Sequence, residues 1–344
     1  MRNLKLLTAT AVALAMVWAG CDTAPSGRKA ALPPSRGLPY ELALLIPKSL
    51  YTDELHDTLE AVLRGSTPGL PQHEPMFRVN VVYPDGHIAT GGFGGSHLAP
   101  WRTFRLRMLV DTAAQVRLGV ARDAVARPQV EVVATAPTPH ALATLIGSER
   151  QRITDILVEA ELEHEATALH RKHSTTTADA LRQLTADDGG GRRVCVPPAL
   201  RASKVGRHFL WTGTNLNDRD QNFLYYAYPW DGTPLVMEAL VAKRDSVLRE
   251  NIPGSQPGQW MQTARIDGRP LVLARTRVIN NKVRLELRGL WELRAGALGG
   301  PFVALAAIDS IRRRVEVVEG FVYSPHSPKR PLIRQMEAAL RTFE

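Results

Sequence analysis

The chain is poor in cysteine: 344 residues contain only Cys21 and Cys195. That rules out a disulfide-stapled fold, and stability must come from packed cores. A membrane-spanning run is also missing. The one long apolar stretch, Leu6 to Ala19, stops after 14 residues, short of the ~20 a spanning helix needs. Familiar catalytic signatures are absent too. There is no Gly-x-Ser-x-Gly and no phosphate loop ending in Gly-Lys-Ser/Thr. No histidine stands in sequence as an evident partner for Cys195.

What is present begins with an address. Arg2 and Lys5 precede the apolar run, which ends at Ala19-Gly20-Cys21. A charged start, a short apolar stretch and small residues before the cut read as an export signal over residues 1–20. A cysteine directly after the cut points to acylation, so Cys21 is the expected lipid attachment. An ordinary secretory signal with a cysteine at its cleavage site is the competing reading. Residues 21–38, rich in Pro, Ser, Gly and Ala, have tether composition. The expected product is an exported lipoprotein bound to the membrane through its N-terminal lipid, on a periplasmic or surface face. With Cys21 acylated, Cys195 has no intramolecular partner. Val194 and Val196 place it in an expected buried strand.

Net charge is +9, and +7 once Arg2 and Lys5 leave with the signal. The excess is mostly scattered arginine, with no basic run of the length that marks a binding patch. Nucleic acid is not an expected partner outside the cytoplasm. An envelope protein or polymer is.

Two α+β domains are expected, over residues 39–188 and 189–344, made of antiparallel sheets covered by helices. In the first, Tyr40–Ile46 and Phe77–Val82 read as strands around a helix opened by Thr52-Asp53-Glu54. Three further strands follow, over 104–110, 115–120 and 130–134. A helical pattern from Pro139 carries Ile153, Ile156, Leu157, Ala160 and Leu169 on one stripe. His164, His170 and His173 lie in this region, but Ala168 stands where a zincin motif needs its second histidine. No metal and no cofactor are expected. The loop Gly91 to Gly95 lacks a phosphate-loop ending and reads as mobile.

In the second domain, strands are expected at 194–197, 208–212 and 223–228, then a helix starting at Thr233-Pro234. Five strands follow as a meander: 260–266, 271–279, 283–291, 302–308 and 315–323. Asp267-Gly268 suits a type I′ turn. Val283, Leu285 and Leu287 alternate with Arg284, Glu286 and Arg288, so the arginine face is expected to be wet. A helix from Lys329 to Arg341 closes the chain, with Leu332, Ile333, Met336 and Leu340 on one face.

Three stretches occur together: Ala242-Lys243-Arg244-Asp245-Ser246-Val247-Leu248; Arg288-Gly289-Leu290-Trp291 with Gly299-Gly300-Pro301-Phe302; and Glu319-Gly320-Phe321-Val322-Tyr323-Ser324-Pro325. They resemble the signature of an uncharacterised family of Gram-negative envelope lipoproteins built on a domain of unknown function. That resemblance implies lipidation and assigns no catalytic residue. The C-terminal half is distantly similar to the PsbP-like α/β/α sandwich, an analogy of fold alone. The candidate binding surface is Arg288, Trp291, Gly299 and Gly300, with Trp291 in the core, Arg288 at a rim, and Arg244 and Asp245 within reach of Arg288. The expected function is a non-enzymatic binding or assembly module of the envelope. A hydrolase or metal enzyme without a recognisable motif is the alternative.

Overall fold

The computed structural model of the protein describes residues 31–84, 99–186 and 191–344. The signal, Cys21, the Gly91 to Gly95 loop and the expected junction at 188/189 lie outside them. Residues Pro33–Glu344 pack as one unit.

The first half is a five-stranded sheet in the order β2-β1-β3-β5-β4. Its strands are β1 (Glu41–Leu45), β2 (Arg78–Val82), β3 (Leu106–Thr112), β4 (Arg117–Arg122) and β5 (Val130–Ala136). Strand β1 runs parallel to β2 and β3, and β3 runs parallel to β5; only β4 with β5 is antiparallel. Antiparallel pairing therefore fails for most of this sheet. Parallel neighbours need a crossover between them, and α1 (Asp53–Leu63) supplies the one from β1 to β2. Strands covered on both faces lose polar alternation, and β1 and β3 are nearly continuous buried runs.

Helix α1 buries Leu55, Leu59, Val62 and Leu63, the residues its spacing singles out. The four-residue helix α2 (Ala99–Arg102) precedes β3. Helices α3 (Pro139–Ser148), α4 (Arg150–Arg171) and α5 (Thr175–Leu184) follow. The hydroxyl of Thr138 caps α3, accepting from the Ala141 amide at 3.1 Å, with Pro139 at the first turn.

The second half is an antiparallel eight-stranded sheet. Strands β6 (Ala202–Gly206), β7 (Phe209–Gly213) and β8 (Asp220–Pro229) come first, then α6 (Met237–Asn251). Next are β9 (Met261–Thr263), a small hairpin of β10 (Arg265–Ile266) and β11 (Arg269–Pro270), then β12 (Val272–Ile279), β13 (Lys282–Leu293), β14 (Gly299–Asp309) and β15 (Arg314–Tyr323). Helix α7 (Arg330–Arg341) ends the chain. The order is β12-β13-β14-β15-β8-β7-β6. The α+β class, the antiparallel C-terminal sheet and its flanking helices are as the sequence predicts.

Three details differ. The meander is four strands, β12 to β15. The expected first strand breaks at Ala264, and its β9 part pairs with the far end of β13, beyond the reach of β12. Asp267 and Gly268 do take the positive φ values of a type I′ turn, 49° and 75°, but within the β10–β11 hairpin. Residues 194–197 form no strand, and Cys195 is half-buried. Helix α6 starts at Met237, because the Asp231 carboxylate holds Thr233 in a turn through both its amide and its hydroxyl.

The largest reversal concerns β13. Arg284, Glu286 and Arg288 are only 3, 5 and 8% exposed, whereas Val283 is 68% exposed. Leu287 and Trp291 pack on the α6 side with Leu240, Val241, Leu248 and Phe302. The arginine face is buried beneath α7, because the sheet is covered on both faces. Each charge there survives by finding a partner.

The α6 side has its own buried pair. Arg244 and Glu319 are fully buried and bidentate, Nε to Oε2 at 2.8 Å and Nη2 to Oε1 at 2.7 Å. The guanidinium also donates to Thr263 Oγ1 at 2.9 Å and lies 3.7 Å from the Phe302 ring centre. Asp245 fixes Thr263 in turn, accepting from its hydroxyl at 2.6 Å. Arg244 thus pairs with Glu319 and not with Arg288, which points out of the opposite face. Removing one charge of a buried pair costs far more than removing both. Glu319→Ala is expected to lose about 3–5 kcal/mol in chemical denaturation, and Arg244→Met with Glu319→Leu to lose clearly less. Equal losses in the two variants would contradict the pair's role.

Candidate functional site

The site is built around α7. No side chain of its own caps the helix. Instead Glu74, from the loop before β2, accepts from the Lys329 amide at 2.7 Å and the Arg330 amide at 2.8 Å. A carboxylate here satisfies orphan amides and sits at the positive end of the helix dipole. Arg330 reinforces the join by donating to the carbonyls of Pro75 and Met76. At the far end, Arg341 pairs with Glu159 of α4. The helix is thus buried on nearly all sides, against the C-terminal sheet and against α4.

At its centre, Glu337 is 3% exposed and shared by two arginines. Arg288 Nη2 donates to Oε1 at 2.5 Å, and Arg334 Nη1 donates to Oε2 at 2.7 Å. The Arg334 guanidinium lies 5.5 Å from the Tyr40 ring centre. Gly69, with φ of +78°, lies against the Arg288 stem; a Cβ there would stand 2.5 Å from Arg288 Cγ.

A cavity of about 340 Å³ opens beside this cluster. Strand β12 contributes Leu273 to Arg275 and Arg277, β13 contributes Glu286 and Arg288, and α7 contributes Arg334 and Glu337. Helix α4 closes the other side with Gln151, Thr154, Asp155 and Val158, and the loop before β2 adds Pro68 and Met76. The volume falls at the lower end of small-molecule pockets. Asp155 draws Arg275 at 3.0 Å and Arg277 at 3.7 Å. Glu286 lies 3.6 Å from Arg288 and 3.8 Å from Arg277. Arg288 Nη1 and Arg334 Nε have no hydrogen-bond partner among the described residues.

Electrostatics follow from this geometry. Burial pushes the Glu337 carboxyl up, yet Arg288, Arg334 and Arg341 outweigh it and hold the group well below the usual carboxylate range. Burial lowers Arg288 less than Glu337 and Glu286 raise it, so it stays charged. Burial also drives the Tyr40 hydroxyl above its ordinary range.

Of the four residues expected to share a surface, only Arg288 reaches this cavity, and it does so from the interior and not from a rim. Trp291 is three positions along β13, and alternation sends it to the other face. There its indole donates to the Val322 carbonyl at 3.1 Å and meets Phe321 edge-on, ring centres 5.6 Å apart. Gly299 and Gly300 pair with Glu292 and Trp291. A Cβ at Gly300 would fall 2.0 Å from the Val322 carbonyl oxygen that accepts this bond. These glycines serve close strand packing, and their residues do not converge on one surface. Cys21 lies outside the described residues.

The histidines stand apart. His164 Nε2 faces Arg105 Nη1 at 3.3 Å, and His173 Nδ1 lies 3.2 Å from the Leu169 carbonyl. His170 Nδ1 is 3.4 Å from Cys195 Sγ, a contact between residues 25 apart that sequence does not reveal. Burial pushes the Cys195 thiol up, which is the reverse of what an activated nucleophile requires. Asp155, Arg275, Arg277, Arg334 and Glu337 are the charged cavity residues missed in sequence. Arg334 and Glu337 carry a visible sign, the i,i+3 spacing of opposite charges.

Comparison with known families places two matches on the chain. Residues 35–170 match the family described as Domain of unknown function (DUF8532), and residues 185–342 match Domain of unknown function (DUF4837). No curated protein matches. The cavity therefore takes walls from both matched regions.

The depressed pKa of Glu337 sets a pH dependence. An unfolded glutamate titrates near ~4.3, and the folded one only at lower pH. The stability it provides is complete above ~4.3 and drains away as pH falls through that range toward the folded pKa, by about 1.4 kcal/mol per pH unit while the folded group stays ionised. Urea midpoints between pH 6 and 3 should therefore fall more steeply for wild type than for Glu337→Gln, which lacks this titration. Parallel slopes would count against the assignment.

Proposed function

We propose that this chain is an exported lipoprotein, anchored through Cys21, whose folded part is a non-enzymatic binding or assembly module of the cell envelope. The observation that carries the binding reading is the arginine-lined cavity. It is large enough for a small molecule, and its central carboxylate is held ionised far from neutrality. A group poised for general acid or base work titrates near the working pH; Glu337 does not. Recognition of charge fits the cavity better than turnover does. The hydrolase alternative draws only on the Cys195–His170 contact, where the thiol is pushed the wrong way.

The envelope address rests on the sequence around Cys21. Among the described residues no helix is long and apolar enough to cross a membrane; the proposed attachment is the N-terminal lipid. Two or more acyl chains suffice for stable anchoring. The antiparallel sheet with α6 on one face and α7 on the other supports the PsbP-like likeness as a likeness of fold.

In a bacterial host that processes lipoproteins, wild type is expected to label with a palmitate analogue and sediment with membranes. Cys21→Ser should lose the label and appear in the soluble exported fraction. A labelled Cys21→Ser protein would show that the anchor lies elsewhere.

A further inference from the structure

The cavity's walls have an unused preference. Four arginines and three carboxylates line it, leaving one positive charge. Asp155 is taken up by Arg275 and Arg277, and Glu337 by Arg288 and Arg334. Two guanidinium N–H groups are left over, Nη1 of Arg288 and Nε of Arg334. They belong to the two side chains that grip opposite oxygens of Glu337. Both residues are more than nine-tenths buried. An unsatisfied buried N–H is destabilising, and more so when charged. Neither nitrogen is open to solvent as the side chains stand, so an acceptor meets them only when the guanidinium groups turn toward the cavity.

Resting on the reading of this cavity as a binding place, we propose that it takes a small organic monocarboxylate with an apolar body, its carboxylate drawn to Arg288 and Arg334. Both arginines line the cavity, and two left-over donors, once turned toward it, suit the two oxygens of a carboxylate. One unbalanced positive charge matches a monoanion; a phosphate dianion would leave the cavity net negative. The remaining walls are mainly apolar, from Pro68, Met76, Val158 and Leu273, and the polar groups of Gln151 and Thr154 are engaged within α4, so the walls match a hydrocarbon part. The positive field at this spot is felt already by Glu337, which it keeps ionised against burial.

The probes are octanoate, octyl phosphate and octanol, titrated calorimetrically into the purified full-length protein and into Leu273→Trp. Leu273 lines the cavity, shares a face with its partner Arg288 and is exposed on edge strand β12, so tryptophan there narrows the space without removing an ion pair. A matching thermal melt verifies that the variant folds. Octanoate is expected to bind one per chain, at least tenfold tighter than octyl phosphate or octanol, and at least tenfold weaker in Leu273→Trp. Octanol binding as tightly as octanoate, with the same loss in the variant, would overturn the carboxylate assignment and leave the binding reading standing. Octanoate binding undiminished in Leu273→Trp would move the site elsewhere and sink the proposal. Failure of all three probes on wild type would overturn the proposal. Whether the chain is a binding module at all would then be decided by capture of partners on the lipidated protein.

Discussion

The carboxylate of Glu337 is the joint on which the structure turns. It is the acceptor for one arginine from the sheet and one from its own helix, deep in the interior. Burying three charges is expensive, and the arrangement works only while each group has its counter-charge in place. That requirement fixes where α7 sits on β13, and α7 in turn fixes where α4 and the loop before β2 can lie. The cavity is what remains between these elements once the charges have been matched.

The opposite face of the same sheet solves a similar problem more completely. Arg244 donates from three nitrogens and stacks on Phe302, so little of its valence is unused. The contrast is informative. On the α6 side the polar groups are saturated and the packing around Trp291 and Gly300 is tight, as befits a structural core. On the α7 side two buried donors are left over, on arginines that also line the cavity. The three sequence stretches that occur together mostly build the saturated face: Arg244 meets Glu319, and Gly300 lets the Trp291 indole reach Val322. These stretches therefore point away from the cavity and toward the frame that supports it.

Much of the secondary structure was legible. Helix α1 follows its apolar spacing, and β12 to β15 follow their turns at Asn280-Asn281 and around Asp309-Ser310. What failed was the step from pattern to burial. Arg284, Glu286 and Arg288 alternate with apolar residues as a half-wet strand would, and period-two alternation cannot distinguish water from a layer of counter-charges. The grouping of Arg288 with Trp291 failed for a related reason. Nearness in sequence along a strand separates side chains across the sheet when their spacing is odd. Parallel pairing in the first sheet was hidden because strand sequences do not state their partners. The cavity residues Arg334 and Asp155 look like ordinary surface charges of helices, and only the packing of α7 against α4 reveals otherwise.

The cap on α7 has a consequence for how the chain can assemble. Its first amides are satisfied by Glu74, some 255 residues earlier. Closing so large a loop pays its entropy before the contact returns anything, so this join belongs to the slow, non-local part of folding. A fragment that stops short of residue 330 has no helix to place over the arginine face of β13. It would leave Arg288 without Glu337 and the long helix α4 without its neighbour. Helix α7 is thus a clasp, and the fold closes only when it reaches the loop before β2.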